Sequence, residues 1–237
     1  MMFDFDNKLK KFFTEPSNSS RRESLLLNRM SYDLQLAAAT SGYYLKVYNS
    51  DVDDNGYDVI IDSEMVTKKL QIKSLLTTSK TRSWKINKGL IKPDFDEVTL
   101  LIDWTNIHPP GIGGGVILQE VQLNELDINI QYYYSDIWII TLYSKGIIGD
   151  LRQQKVARKL ISQLLDGNYH DKINITKSLF LKVKSPSCLL SLMCIHSNYV
   201  TSNIRYLLSD RLSGLIAPPE QIDILINEEI ERLCHHK

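Results

Sequence analysis

Asp58, Gln71 and Lys73 are the residues of this chain whose types and spacing could do chemistry. Asp58 opens the apolar run Val59-Ile60-Ile61. A polar turn later comes Lys69-Leu70-Gln71-Ile72-Lys73-Ser74. Residues two apart share one face of a strand. Gln71 and Lys73 therefore point the same way, while Leu70 and Ile72 point into a core. On the first run Asp58, Ile60 and Asp62 share one face and Tyr57, Val59 and Ile61 the other. If the two strands pair as a hairpin, Asp58, Gln71 and Lys73 converge on one spot. An acid, a polar oxygen and an ammonium group at one place suit divalent-metal hydrolysis of a phosphodiester.

The residue types fit that reaction for stated reasons. Magnesium is a hard cation that takes oxygen ligands and keeps several waters. The Asp58 carboxylate, the Gln71 side-chain oxygen and the Ile72 carbonyl would supply such ligands, and manganese could take the same place. The metal lowers the pKa of a bound water and offsets charge on the scissile phosphate. Lys73 would set a positive charge beside the attacking water or the pentavalent phosphate, or help to deprotonate that water.

The order Gly-Tyr, strand, acidic loop, Gly-Tyr-Asp, strand, Gln-Ile-Lys-Ser resembles the PD-(D/E)XK nuclease superfamily, in its variant with Gln in place of the second acid. The resemblance covers residues 20 to 105. It implies an α/β fold: a restriction-endonuclease-like central mixed β-sheet flanked by helices. It also implies a magnesium-dependent endodeoxyribonuclease of restriction or defence type, with DNA as partner and no nucleotide cofactor. Gln71 removes one anionic ligand, a departure shared by several branches that resemble restriction and defence nucleases. Taken singly, Asp58 after Asn55-Gly56 closes a turn and Lys73 is a solvated strand residue; the combination carries the resemblance.

In this superfamily a further acid often comes from the helix before the first strand. Ser19 or Ser20 can cap such a helix, with Glu23 as capping-box partner. Leu26, Leu27, Met30, Leu34, Ala37 and Ser41 form one stripe at helical spacing, and Gly42 suits the position past its end. Asp33 lies at the edge of that stripe, between Met30 and Ala37. Asp33 is therefore preferred over Gln35 or Glu23 as the helix-borne metal ligand.

The surrounding elements follow from pattern. A helix is expected over Phe5 to Phe13, then a break at Pro16-Ser-Asn-Ser-Ser. Strands are expected at 43–48, 57–62, 68–74, 97–104, 116–122, 136–143 and 178–184. Residues 97–104 would lie beside the Gln-Ile-Lys strand. His108 to Gly115 reads as a loop without the Gly-Lys-Ser/Thr ending of a P-loop. An amphipathic helix is expected at 151–165, with Arg152, Lys155, Arg158 and Lys159 on the polar side, and a further helix at 187–208. Pro218-Pro219 opens a last helix from Glu220 to Leu233. Its apolar face, Ile222, Leu225, Ile226, Ile230 and Leu233, packs on the core or pairs with a second copy. The domain reading is an N-terminal arm at 1–18, a core at 19–184 and a helical C-terminal extension at 185–237.

Composition sets the remaining bounds. The 237 residues carry 28 basic and 28 acidic side chains, for zero net charge, which argues against broad non-specific nucleic-acid binding. The distribution is uneven. Met65 to Lys92 holds eight basic residues and no acid, whereas Pro93 to Asp150 holds nine acids and one lysine. Lys80, Arg82, Lys85 and Lys88, among Ser, Thr and Trp84, suit contact with a phosphate backbone. No apolar run approaches a membrane span, and no secretory signal is visible. Three scattered cysteines suggest a reducing, cytoplasmic setting. Cys188, Cys194 and His196 match no zinc spacing, and the terminal Cys234-His235-His236 reads as a frayed end. Tyr132-Tyr133-Tyr134 could stack on bases but reads first as packing. A homodimer is expected, because double-strand cleavage needs two sites. The competing reading is a non-catalytic nucleic-acid-binding or protein-interaction module on the same fold.

Overall fold

The central strand is β3, Thr67–Leu76, and its neighbours explain where the site falls. The computed structural model describes residues 5–49, 56–64, 66–91, 114–124, 127–165, 171–195, 202–214 and 217–235. Before β3 come α1 (Phe5–Thr14), a 3-10 turn (Pro16–Asn18), α2 (Ser19–Thr40), β1 (Lys46–Asn49) and β2 (Val59–Asp62). After it come β4 (Ser83–Asn87), α3 (Lys88–Ile91), β5 (Gly115–Leu123), β6 (Ile128–Ser135), α4 (Ile137–Lys145) and α5 (Leu151–Leu165). The chain continues through β7 (Lys172–Thr176), a 3-10 turn (Lys177–Leu179), β8 (Leu181–Lys182), α6 (Pro186–Leu192), α7 (Ile204–Ser213) and α8 (Pro219–Leu233).

Among the described residues six strands form one mixed sheet in the order β1-β2-β3-β5-β6-β8, and β4 pairs with β7 in a separate two-stranded sheet. β2 runs antiparallel to β3 only over Val59↔Leu70 to Asp62↔Thr67. β5 runs parallel to β3 from Leu70↔Gly115 to Leu76↔Val121. β3 thus changes partners at Leu70, and its β2-side edge is left by β2 just where Gln71 begins. Strands buried on both faces read as continuous apolar runs. Val116, Ile117 and Leu118 of β5 are such a run, fully buried.

α2 forms where its apolar stripe predicts. Leu26, Met30, Leu34, Ala37 and Ala38 are buried, and α2 packs against α6. Its start differs from the expected capping box. Asn18 is the N-cap after the 3-10 turn, and Ser19 Oγ instead donates to Glu23 Oε1 at 3.1 Å within the helix. Its end is as expected: Gly42 has φ +83°, and the Gly42 and Tyr43 amides donate to the Ala39 and Ala38 carbonyls in a Schellman closure.

Several elements differ from expectation. Residues 136–143 are not a strand. Asp136 caps α4 by accepting from the Ile139 amide at 3.0 Å, and residues 137–144 are all buried. A helix buried all round has no periodicity to separate it from a buried strand. The expected strand at 178–184 is mostly a 3-10 turn followed by the two-residue β8, and β7 was not foreseen. The expected helix at 187–208 is two helices, α6 and α7. The expected strand 97–104, most of the glycine-rich loop and the turn at 51–55 lie outside the described residues; β5 holds the place beside β3.

The three tyrosines are packing residues of β6, each with a carboxylate partner: Tyr132 with Asp33, Tyr133 with Glu120, Tyr134 with Asp136. Burial, together with its acidic partner, raises the pKa of each hydroxyl. The face of α8 that offered a pairing surface is largely spent inside the chain, with Ile222, Ile226 and Leu233 buried. Cys234 is not frayed. It is buried and bridges Val183. Asp136 also takes the Arg205 guanidinium at 3.1 Å. Beside this pair lies Lys68, fully buried, whose pKa is pushed down to about 7 by burial and by the Arg205 charge. No helix of the described residues is long and apolar enough to cross a membrane.

Candidate active site

The site lies where β2 leaves the edge of β3. The Asp58 amide donates to the Leu70 carbonyl at 2.8 Å, the last backbone bond of that pairing. Next, the Ile72 amide donates to Asp58 Oδ2 at 2.6 Å. A side chain has replaced a strand as the partner of β3. The amide and carbonyl of one strand residue face the same edge, so the Ile72 carbonyl also faces the Asp58 side. Gly56, at φ +67°, turns the chain into this position, and a Cβ there would meet Asn87 Nδ2 at 2.3 Å.

A cavity of about 540 Å³ opens at this edge, and Asp58, Ile72 and Lys73 all line it. Tyr57 and Ser74 complete its β2–β3 side. Glu23, Ser24, Leu26 and Leu27 come from α2, Trp84 from β4 and Gln119 from β5. Two acidic residues, Ile72 and a lysine thus line one hollow with an aromatic wall. Among the described residues no three His, Cys, Asp or Glu side chains cluster as a metal group. Magnesium uses one or two carboxylates and keeps the rest of its shell as water. The donor set of Asp58, Glu23 and the Ile72 carbonyl fits that pattern.

Gln71 does not line this cavity. It is buried, and its Oε1 accepts the Asn87 amide at 3.2 Å, tying β3 to the end of β4. The expected convergence therefore brings Asp58 and Lys73 together and turns the Gln71 oxygen to a backbone partner. Asp33 also lies elsewhere. It accepts from Arg29 Nε at 3.0 Å and from the Tyr132 hydroxyl at 2.7 Å. It stands ten residues beyond Glu23, about 15 Å along α2. The acid that α2 offers the cavity is Glu23, the alternative set aside in the sequence reading.

The expected backbone-binding cations do not line the cavity. Lys80, Arg82 and Lys85 are exposed, and Arg82 Nη1 donates to the Ser79 and Thr81 carbonyls, closing its own turn. Lys88 is buried at 1% exposure and cannot meet a phosphate on the surface.

Gln119 was not anticipated. Its side chain is fully buried, and its amide nitrogen donates to the Leu26 carbonyl at 3.0 Å. A carbonyl can only accept, so this bond sets the amide orientation. Its Oε1 has no hydrogen-bond partner among the described residues. A buried acceptor left open marks a place for water or a ligand. A lone amide within Val116-Ile117-Leu118-Gln119 is the sequence signal that could have found it. Its neighbour Glu120 is engaged by Tyr133 and Lys177. Burial pushes the Glu120 carboxyl up, but these partners outweigh burial and lower its pKa.

No protein-family model, curated protein or solved structure matches the chain.

Proposed function

We propose that this chain is a metal-dependent endonuclease of the PD-(D/E)XK kind, hydrolysing phosphodiester bonds of DNA in a restriction or defence role. One observation carries the reading: Asp58 and Lys73 line one cavity at the edge of β3 that β2 leaves. Glu23 supplies a second carboxylate to the same hollow. Asp58 is oriented before any ligand arrives, because Ile72 holds its carboxylate through a backbone amide. Such preorganisation lowers the reorganisation needed during reaction. In the proposed mechanism Asp58, Glu23 and the Ile72 carbonyl would hold magnesium or manganese. When bound, such a cation would supply an activated water and offset phosphate charge. Lys73, which lines the same cavity, would stabilise the charge gathering on the phosphate. Trp84 and Leu27 give the hollow apolar walls that limit bulk water. Cleavage of both strands calls for two such sites, hence two chains at the moment of cutting, and the site of action is taken as the cytoplasm.

The engagement of Gln71 by Asn87 favours one rival. With that oxygen committed to the backbone, a non-catalytic nucleic-acid-binding module would have a similar site without turnover. Incubation of the protein with supercoiled and linear DNA in magnesium or manganese, beside Lys73→Ala, separates the two. The nuclease reading expects cleavage that the variant loses. Binding without cleavage under either metal, or equal cleavage by the variant, would refute it.

A further inference from the structure

The cavity at Asp58 is one end of a longer trough. Leu26 and Ser74 line both it and a second hollow of about 360 Å³. Thr14, Leu76, Thr78 and Val121 line both that hollow and a third, of about 550 Å³. The trough follows β3 past Leu76 and ends between α1 and the end of β5. From Ile72 to Leu76 alone the strand advances about 13 Å.

Its chemistry changes along the way. Among the described residues, Glu23 and Asp58 line only the first hollow, and no acidic side chain lines the other two. There the polar lining is Thr14, Ser74, Thr77, Thr78 and Ser79, with Arg22 in the second hollow and Lys10, Gln122 and Asn124 in the third. Arg22 Nη1 is held by the Glu15 carbonyl at 2.5 Å, which leaves other donors of its fork. The floor is apolar, with Leu26, Leu76 and Val121. Carboxylates at one end suit a metal. Hydroxyls and cations along the rest suit successive phosphates, over a floor on which bases or sugars can rest. A small substrate would need only the first hollow.

We infer that this trough seats a single DNA strand that continues from the scissile phosphate, with Ser74, Thr78, Arg22 and Lys10 contacting its backbone. The inference rests on the nuclease reading for the location of the scissile phosphate, but its binding test does not need cleavage.

The test is fluorescence anisotropy with a labelled single-stranded oligodeoxynucleotide and its duplex, in EDTA, over a salt series. The proteins are wild type, Asp58→Asn, the double variant Lys10→Glu with Thr78→Glu, and Lys172→Glu as an exposed control on β7. Lys10 and Thr78 are exposed, so the double variant should keep its fold by circular dichroism. The inference expects the double variant to lose at least about tenfold in affinity for the single strand, with a smaller salt slope. Lys172→Glu should bind as wild type, and Asp58→Asn at least as tightly, because it removes a negative charge beside the scissile phosphate. If the double variant binds as tightly as wild type while wild type cleaves DNA, the trough assignment falls and the nuclease reading stands. If binding is lost as expected but no protein cleaves DNA in magnesium or manganese, the trough stands without the chemistry. Tighter binding of duplex than single strand, or no binding by wild type, overturns the inference.

Discussion

The Ile72 amide donates to Asp58 Oδ2 at 2.6 Å, across fourteen positions of sequence. This bond continues the β2–β3 ladder by one rung after β2 itself has ended. It ties the candidate acid to the backbone of the strand that carries Lys73, so the two side chains are positioned by a single element.

That relationship separates chemistry from stability in one substitution. Asp58→Asn keeps an oxygen that can accept the Ile72 amide but loses the charge. The expected outcome is a fall in magnesium-dependent DNA cleavage of at least about 100-fold. The unfolding free energy should change by less than about 1.5 kcal/mol. Lys73→Ala should show a comparable loss of cleavage. A large stability loss in Asp58→Asn with little kinetic effect would argue for a purely structural acid.

Glu23 and Asp33 make an opposed pair on one helix. Glu23→Gln should reduce cleavage and weaken manganese binding, as titration calorimetry can show, while leaving the unfolding transition almost unmoved because its side chain is exposed. Asp33→Asn should do the reverse. It removes the charge that pairs with Arg29 and leaves one acceptor oxygen for two donors, Arg29 Nε and the Tyr132 hydroxyl, and should cost about 1–2 kcal/mol in chemical denaturation. A catalytic defect in Asp33→Asn at full stability would restore the first assignment.

Gly56 turns the chain just before Asp58. Gly56→Ala places a side chain at φ +67° and drives its Cβ into the Asn87 side chain. The left-handed conformation alone costs about 1–2 kcal/mol. Moving Asn87 disturbs the Gln71 bond as well. Thermal unfolding should fall by several degrees, and cleavage should fall with it. An unchanged melting temperature would mean that the turn is not the one described.

Lys68 provides a pH signature. Its folded pKa is pushed down to about 7, first by burial and then by Arg205, against the opposing pull of Asp136 and Cys194. The unfolded lysine keeps its proton up to about pH 10.4. Between those values the unfolded chain binds more protons, so this residue makes stability rise with pH from about 7 to about 10. Lys68→Met should remove that rise, seen as a difference between the two urea-denaturation series. Parallel pH profiles for wild type and variant would contradict it.

How far the sequence disclosed this structure depends on the residue. The β2–β3 hairpin and the stripe of α2 were legible because period-2 and period-3.6 patterns survive when one face is solvated. α4 was not, because Ile137 to Ser144 are apolar or buried in every direction. Only the cap at Asp136 distinguishes it from a strand, and Asp136 also serves Arg205. The choice between Glu23 and Asp33 turned on what crosses above α2. That is set by Tyr132, ninety-nine positions away, and no local pattern carries it. Gln71 and Lys73 do share a strand face, yet β4 supplies a backbone partner that captures one of them. Gln119 was visible only as a polar residue in an apolar run, and its partner is fixed by the packing of α2.

The hand-off of β3 at Leu70 also bears on the order in which the chain assembles. The contact between Asp58 and Ile72 closes a short loop, whereas that between Gln119 and Leu26 spans ninety-three positions. Long-range pairings form late, because loop closure must be met before they are rewarded. The acid and the lysine can thus meet in a local hairpin during synthesis, while the far wall of the cavity waits for β5 to dock in parallel. A nascent or truncated chain would hold the reactive pair with nowhere to seat a substrate.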